Sequence, residues 1–155
     1  MIRINEELMT YFRNYPALVG GGSFAQLIDP DDIVNHYAEK YKNYPTMIFD
    51  VKPYEEGTPV ITERLDLLEV VIVGRSDDVT FAVDKISRVV RETMRGMMGR
   101  TITFHSSSNA WLNGRDKCVV IRCTEKESPM YMNDVKEGLV LYKHLFEIKW
   151  QDRSL

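Results

Sequence analysis

The sequence predicts an α+β domain: a mostly antiparallel sheet of four to five strands packed by one long helix, with additional N-terminal helices. Three observations lead there. Residues 61–74, ITERLDLLEVVIVG, make one long strand-like run. The run turns at Arg75, Ser76 and Asp77 into DDVTFAVDKISRVVRETMRGMM, which has the best helical periodicity in the chain. The other strand-like segments come in runs instead of alternating with helices, which disfavours a doubly wound nucleotide fold. The chain of 155 residues fits one domain, residues 1–155, able to bury roughly 68–70% of its unfolded surface without disulfides or metal.

The first helix takes Asn5 as its N-cap, with Ile4 and Met9 as a hydrophobic staple. Leu8, Met9, Tyr11, Phe12 and Tyr15 supply its apolar area until Pro16 stops it. Gly20, Gly21 and Gly22 then break regular structure. A second helix starts at Asp29 and Pro30, an aspartate cap followed by proline at the first helical position. Ile33, Val34, Tyr37, Ala38 and Tyr41 recur along it at helical steps, and Pro45 ends it by Tyr44.

Residues 46–51 read as a strand and residues 52–60 as a turn rich in proline and charge. In the long strand Leu65, Leu67, Val71 and Val73 face one way, and Leu68, Val70 and Ile72 the other. Apolar residues on both faces near its end predict a central strand. The long helix carries Val79, Ala82, Val83, Ile86, Val89, Val90, Met94 and Met97 as one stripe, with Ser76 or an adjacent aspartate as cap and Gly99 as stop. Asp77 and Asp78 at its start and Arg91, Arg95 and Arg100 towards its end suit the helix dipole. Two short strands follow, 101–105 and 118–123, joined by a loop. A polar excursion over 125–138 leads to a final strand, LVLYKHLFEIKW. The predicted order is α-α-β-β-α-β-β-β.

A net charge of −3 is too mild to point to nucleic acid or membrane, and 44% hydrophobic residues argue against wholesale disorder. Cys118 and Cys123 stand five apart on one strand, on opposite faces where they cannot easily pair, so free thiols in a reducing compartment are expected. Residues 1–9 lack the apolar region of a secretory signal, which predicts a protein used in a cytoplasm or packaged into a particle assembled there.

No motif for chemistry stands out. Gly20, Gly21, Gly22 and Ser23 lack the lysine of a phosphate-binding loop and read as a turn. His36 and Glu39 are one helical turn apart, too few ligands for a metal. His105, Ser106, Ser107, Ser108 and Asp116 lack the nucleophile-elbow context and read as a polar loop. Arg88, Arg91 and Arg95 form a basic stripe that suits either a phosphate backbone or the helix dipole with an Arg88–Glu92 pair. No catalytic, metal-binding or cofactor-binding residue is expected. The stronger signal is apolar residues in polar excursions: Tyr54 and Val60, then Trp111 and Leu112, then Met130, Tyr131 and Met132. Such residues sit at partner interfaces or fold back over their own core.

Taken in order, the helix leading to ALVGGG, the strand YPTMIFDV, the charged hairpin, the turn into GRSDDVTFAVDKISRVV and the aromatic end LFEIKW resemble the tail terminator family of tailed bacteriophages, also described as minor tail or head–tail joining proteins. The resemblance spans nearly the whole chain. It implies a structural virion protein and no enzyme: a homohexameric ring in the tail or neck, assembled in the bacterial host cytoplasm. Its partners would be other copies of itself, the tail tube protein, a head–tail connector or stopper protein, and the tail sheath if the tail is contractile. DNA would pass through the ring without sequence-specific binding. On that reading Tyr54, Glu55, Glu56, Val60, Trp111, Leu112, Met130, Tyr131 and Met132 contact subunits or partners, and Glu55, Glu56 and Glu63 line the channel. The alternatives are another neck or tail-tube component, or a small-ligand-binding or enzymatic α+β domain.

Overall fold

The long strand and the final strand run side by side through the middle of one sheet. The computed structural model describes residues 3–35, 43–53, 63–97, 101–103 and 117–152. Among them lie the helices α1 (Arg3–Arg13), α2 (Pro16–Val19) and α3 (Ala82–Arg95). The strands are β1 (Ile33–Val34), β2 (Thr46–Pro53), β3 (Glu63–Arg75), β4 (Thr101–Thr103), β5 (Lys117–Asp134) and β6 (Leu139–Asp152). The six strands form one sheet in the order β1-β2-β3-β6-β5-β4. The domain is α+β, and its sheet is mixed: β1 runs parallel to β2, and the other neighbouring pairs are antiparallel.

Both helices of any length cover the same sheet face. The 14-residue α3 packs on β3, β6 and β5, and the 11-residue α1 reaches β1, β2 and β4. The long helix therefore shares the cover with α1. Between helices and sheet lies the main core, with Ile4, Leu8 and Phe12 from α1 and Val83, Ile86, Val90 and Met94 from α3. They meet Phe49, Leu68, Val70, Ile72, Phe146 and Ile148. Phe12 and Phe49 pack edge to face with ring centroids 5.4 Å apart. Val71 and Val73 are buried on the other face with Ile48, so β3 is central and covered on both sides at its far end, as its pattern predicted.

Five expectations are corrected. Asn5 does not cap α1, which already begins at Arg3; its side chain faces inward and accepts the backbone N–H of Val51 at 3.0 Å. The second helix is replaced over its first residues. Asp29 and Pro30 do start a helical turn, but it is a three-residue 3-10 turn, and Ile33–Val34 then extend along β2. The Ile33 carbonyl accepts from Arg13 Nε and Nη2 at 3.0 and 2.8 Å, which favours the extended path of two β-branched residues over a helix. Residues 36–42 lie outside the described residues.

The long helix starts at Ala82, after Val79, because the Asp78 carboxylate draws the chain into a turn. One oxygen accepts from the Thr80 N–H and hydroxyl at 2.9 and 2.6 Å, and the other from the Ala82 N–H at 3.3 Å. Phe81 is the cap residue, with φ of 55°, and Gly96 receives the C-terminus in place of Gly99. The stretch 125–134 is strand, not excursion. β5 runs through it unbroken, and register shifts between Val120 and Arg122, Glu125 and Glu127, and Glu127 and Met130 absorb its irregular pattern, Pro129 included. The first of those shifts also moves the cysteines. Cys118 pairs with Asp152 and Cys123 with Ile148, so both positions fall on one sheet face. Four residues along β6 still hold them about 13 Å apart, too far for a disulfide.

Candidate assembly interface

The end of the sheet where β3 leaves for α3 is also the end where β5 turns into β6. Arg75 is opposite Leu139, and the Ser76 N–H donates to the Gly138 carbonyl at 2.9 Å. Asp134 builds the β5–β6 turn by accepting the N–H groups of Lys136 and Glu137 at 3.1 and 3.2 Å. Gly138, at φ of 65°, closes it. Two adjacent turns are thus stitched together, and both present apolar side chains outward.

Seven large apolar side chains are exposed among the described residues: Phe24, Val79, Phe81, Met130, Tyr131, Met132 and Val135. All but Phe24 belong to this end. Val79 and Val135 are 86% exposed and Phe81 65%, so they contribute almost nothing to the subunit's own core. Tyr131 stacks at a tilt on Tyr142, centroids 5.1 Å apart, and lines a shallow depression together with Phe81. Register places Tyr131 on the helix face of the sheet, and Met130 and Met132, opposite Lys143 and Leu141, on the other face. The apolar end therefore wraps the sheet edge from one face to the other.

Of the interface residues expected from sequence, Met130, Tyr131 and Met132 belong to this surface, though on a strand and not on a loop tip. Glu63 is the first residue of β3, opposite Gln151 at the far end of the sheet. Tyr54, Glu55, Glu56, Val60, Trp111 and Leu112 lie outside the described residues, as do His36, Glu39, His105, Ser106, Ser107, Ser108 and Asp116. Val79, Phe81 and Val135 were missed. Val79 was read into the helical stripe. The signal against that reading was Ser76-Asp77-Asp78 followed by Thr80, a run of turn formers whose side chains bind their own backbone.

A second feature lies across α3. Gly20, Gly21 and Gly22 all have positive φ, and Gly21 and Phe24 exchange backbone hydrogen bonds at 3.2 and 2.9 Å. This tight turn, which fits the turn reading of the glycines, holds Phe24 over an open groove of about 510 Å³. Tyr15, Leu27 and Val89 give the groove its apolar walls, and Lys85, Arg88 and Glu92 its charges.

The rest of α3 is tied to the sheet by polar pairs at positions 84, 87 and 91, one helical face. The Asp84 carboxylate accepts the Tyr142 hydroxyl and pushes that phenol's pKa up. Ser87 Oγ and His144 Nε2 share a hydrogen bond of 2.6 Å in the core. His144 also stacks parallel on Phe146, and burial lowers its pKa. Arg91 forks onto Glu125, with Nη2 to Oε2 at 3.0 Å, and Arg95 adds a third contact at 3.2 Å. Those bonds hold the Glu125 pKa below the usual carboxylate range. So Arg91 and Arg95 of the expected basic stripe are engaged, and Arg88 turns to the groove. Ser87 and His144 are buried, which keeps the pair from any substrate. Among the described residues no three His, Cys, Asp or Glu side chains gather as a metal site.

No protein-family model matches the chain, and no curated protein matches it.

Proposed function

We propose that the protein is a structural subunit that closes into a ring, of the tail terminator kind, at the head-proximal end of a bacteriophage tail tube. The ring stops tube polymerisation and offers its other face to the head connector. The observation that carries this reading is the apolar end of the sheet. Val79, Phe81 and Val135 on two interlocked turns gather with Tyr131 at the end of β5, exposed and backed by hydrogen-bonded structure. A monomer gains nothing from such a patch and loses solubility by it, whereas a subunit uses it as an interface core. Its work is then geometric: head-to-tail contacts whose rotation closes make a ring with two different faces. The order of segments from ALVGGG to LFEIKW supports the same assignment through its family resemblance.

Negative-stain electron microscopy and sedimentation of the purified chain, alone and mixed with isolated tail tubes, test it. Rings, free or capping one end of each tube, are expected. A monomer under both conditions, with bare tube ends, would overturn the reading.

A further inference from the structure

We propose that the apolar end of one subunit seats in the α3 groove of a second copy of this chain, and that this is the contact that repeats around the ring. The inference rests on the ring reading and names its surfaces.

Two features on one chain are complementary in shape and in charge. The apolar end projects and the groove recedes. The projecting turns carry Asp77, Asp78, Asp134 and Glu137 against Arg75 and Lys136, and Arg75 is already paired with Asp77 at 3.2 Å. Their balance is acidic. The groove carries Lys85 and Arg88 against Glu92, a basic balance. Phe24, the one exposed large apolar residue away from the projecting end among the described residues, lines the groove, where the incoming side chains need an apolar contact. The pairing thus brings Phe24 into one contact with Val79, Phe81, Tyr131 and Val135. The two surfaces are different patches that meet at Leu27, which lines the groove and also a depression with Arg75, Asp77 and Thr80 of the projecting turn. The projecting end reaches from Phe81 to the β5 side of α3, where Tyr131 and Tyr142 lie, and the groove opens on the α2 side, where Tyr15 and Leu27 lie. A contact between unlike surfaces is head-to-tail, so each subunit keeps one of each kind in use, and closure leaves none exposed.

Charge reversal tests the match. Lys85→Glu with Arg88→Glu makes the groove acidic; Asp77→Lys with Glu137→Lys makes the projecting turns basic. All four side chains are exposed, so the fold is expected to survive, and circular dichroism checks that it has. Each double variant alone is expected to need about tenfold or more protein to assemble by sedimentation velocity, because like charges then meet at every contact. Mixed one to one, the two variants are expected to assemble again as alternating rings, since each groove then faces turns of opposite sign. Wild-type-like assembly of either variant alone, or failure of the mixture to recover, would overturn this pairing and leave the groove to a small ligand or another partner. Rings formed by the wild-type chain in the same series would show that the ring reading stands even then. A wild-type chain that forms no ring, alone or on tubes, would sink both.

Discussion

Asn5 and Asn35 are 30 residues apart in the chain and share a buried hydrogen bond, Asn35 Nδ2 to Asn5 Oδ1, at 3.1 Å. Together they continue a strand that stops. β1 pairs with β2 through two residues only, Ile33 with Met47 and Val34 with Ile48. Beyond them Asn35 Nδ2 also donates to the Phe49 carbonyl at 3.0 Å, and Asn5 Oδ1 accepts the Val51 N–H at 3.0 Å. A carboxamide has the donors and acceptor of a peptide group, so two side chains stand in for a row of backbone and tie α1 to the sheet edge.

Replacing Asn5 with Ala is expected to cost about 1–3 kcal/mol, because buried donors on Val51 and Asn35 lose their acceptor at once. Asn35→Ala should cost a similar amount through the Phe49 carbonyl. The double variant should cost less than the sum, with a coupling of about 1 kcal/mol in a cycle of urea midpoints. Strict additivity would mean that the two amides act separately.

Gly74 is where β3 passes beneath α3. A Cβ on it would lie 2.2 Å from Val83 Cγ2, and Val83 is a stiff, buried, β-branched side chain. Gly74→Ala is therefore expected to destabilise by about 1–3 kcal/mol through overpacking. Val83→Ala, harmful alone, should restore much of that loss when combined with it. Thermal melts of the four proteins check this; a Gly74→Ala chain as stable as wild type would mean that α3 lifts without strain.

These two sites mark what could and could not be read in advance. The alternation of β3 and β6 and the period of α3 were legible because each buried face repeats along the element. So Leu68, Val70 and Ile72 fall on one face by pattern alone, and the structure packs them with Phe146 and Ile148 in one core. Asn5 was misread because a cap and a tertiary hydrogen bond use the same residue types, and spacing does not separate them. β1 was misread because a local helical period yields when a side chain from elsewhere, here Arg13, takes the carbonyl. The bulges of β5 reset the period-two count, so Cys118 and Cys123 changed relative face without any change in composition. Of the surface, the apolar residues of β5 were legible by type, whereas Val79 and Phe81 needed the turn that Asp78 makes.

Stability should fall as pH is lowered through the range that His144 sets. Burial lowers the His144 pKa; Arg91 lowers it further, and Glu125 opposes both. The unfolded chain then binds a proton at His144 at a higher pH than the folded chain does. The stability lost is fully present above the unfolded pKa near 6.5 and declines as pH falls from there towards the lowered folded value, by at most about 1.4 kcal/mol per pH unit. Protonation would also leave Nδ1–H buried with no acceptor among the described residues. His144→Phe should flatten that part of the urea-midpoint profile between pH 7 and pH 5. An unchanged slope would assign the effect elsewhere.

Glu125 decides how basic the α3 surface is. Its carboxylate engages Arg91 and Arg95 together, which takes two of the three stripe arginines out of free solution. Hydrogen bonds from Arg91 first, and then Arg95, lower its pKa. The clamp is therefore fully formed above the ordinary carboxylate range and is released only as pH falls through the depressed folded value. Glu125→Gln removes the charge at neutral pH and frees both guanidinium groups for other anions. The stability change should be small, since the pair is partly solvated. Affinity for a polyanion should rise: the variant is expected to elute from heparin at higher salt than wild type. Its binding to duplex DNA should also have a salt slope steeper by about one to two ions, one for each arginine released. Equal elution of the two proteins would mean that Arg91 and Arg95 reach solvent anions even while Glu125 is charged.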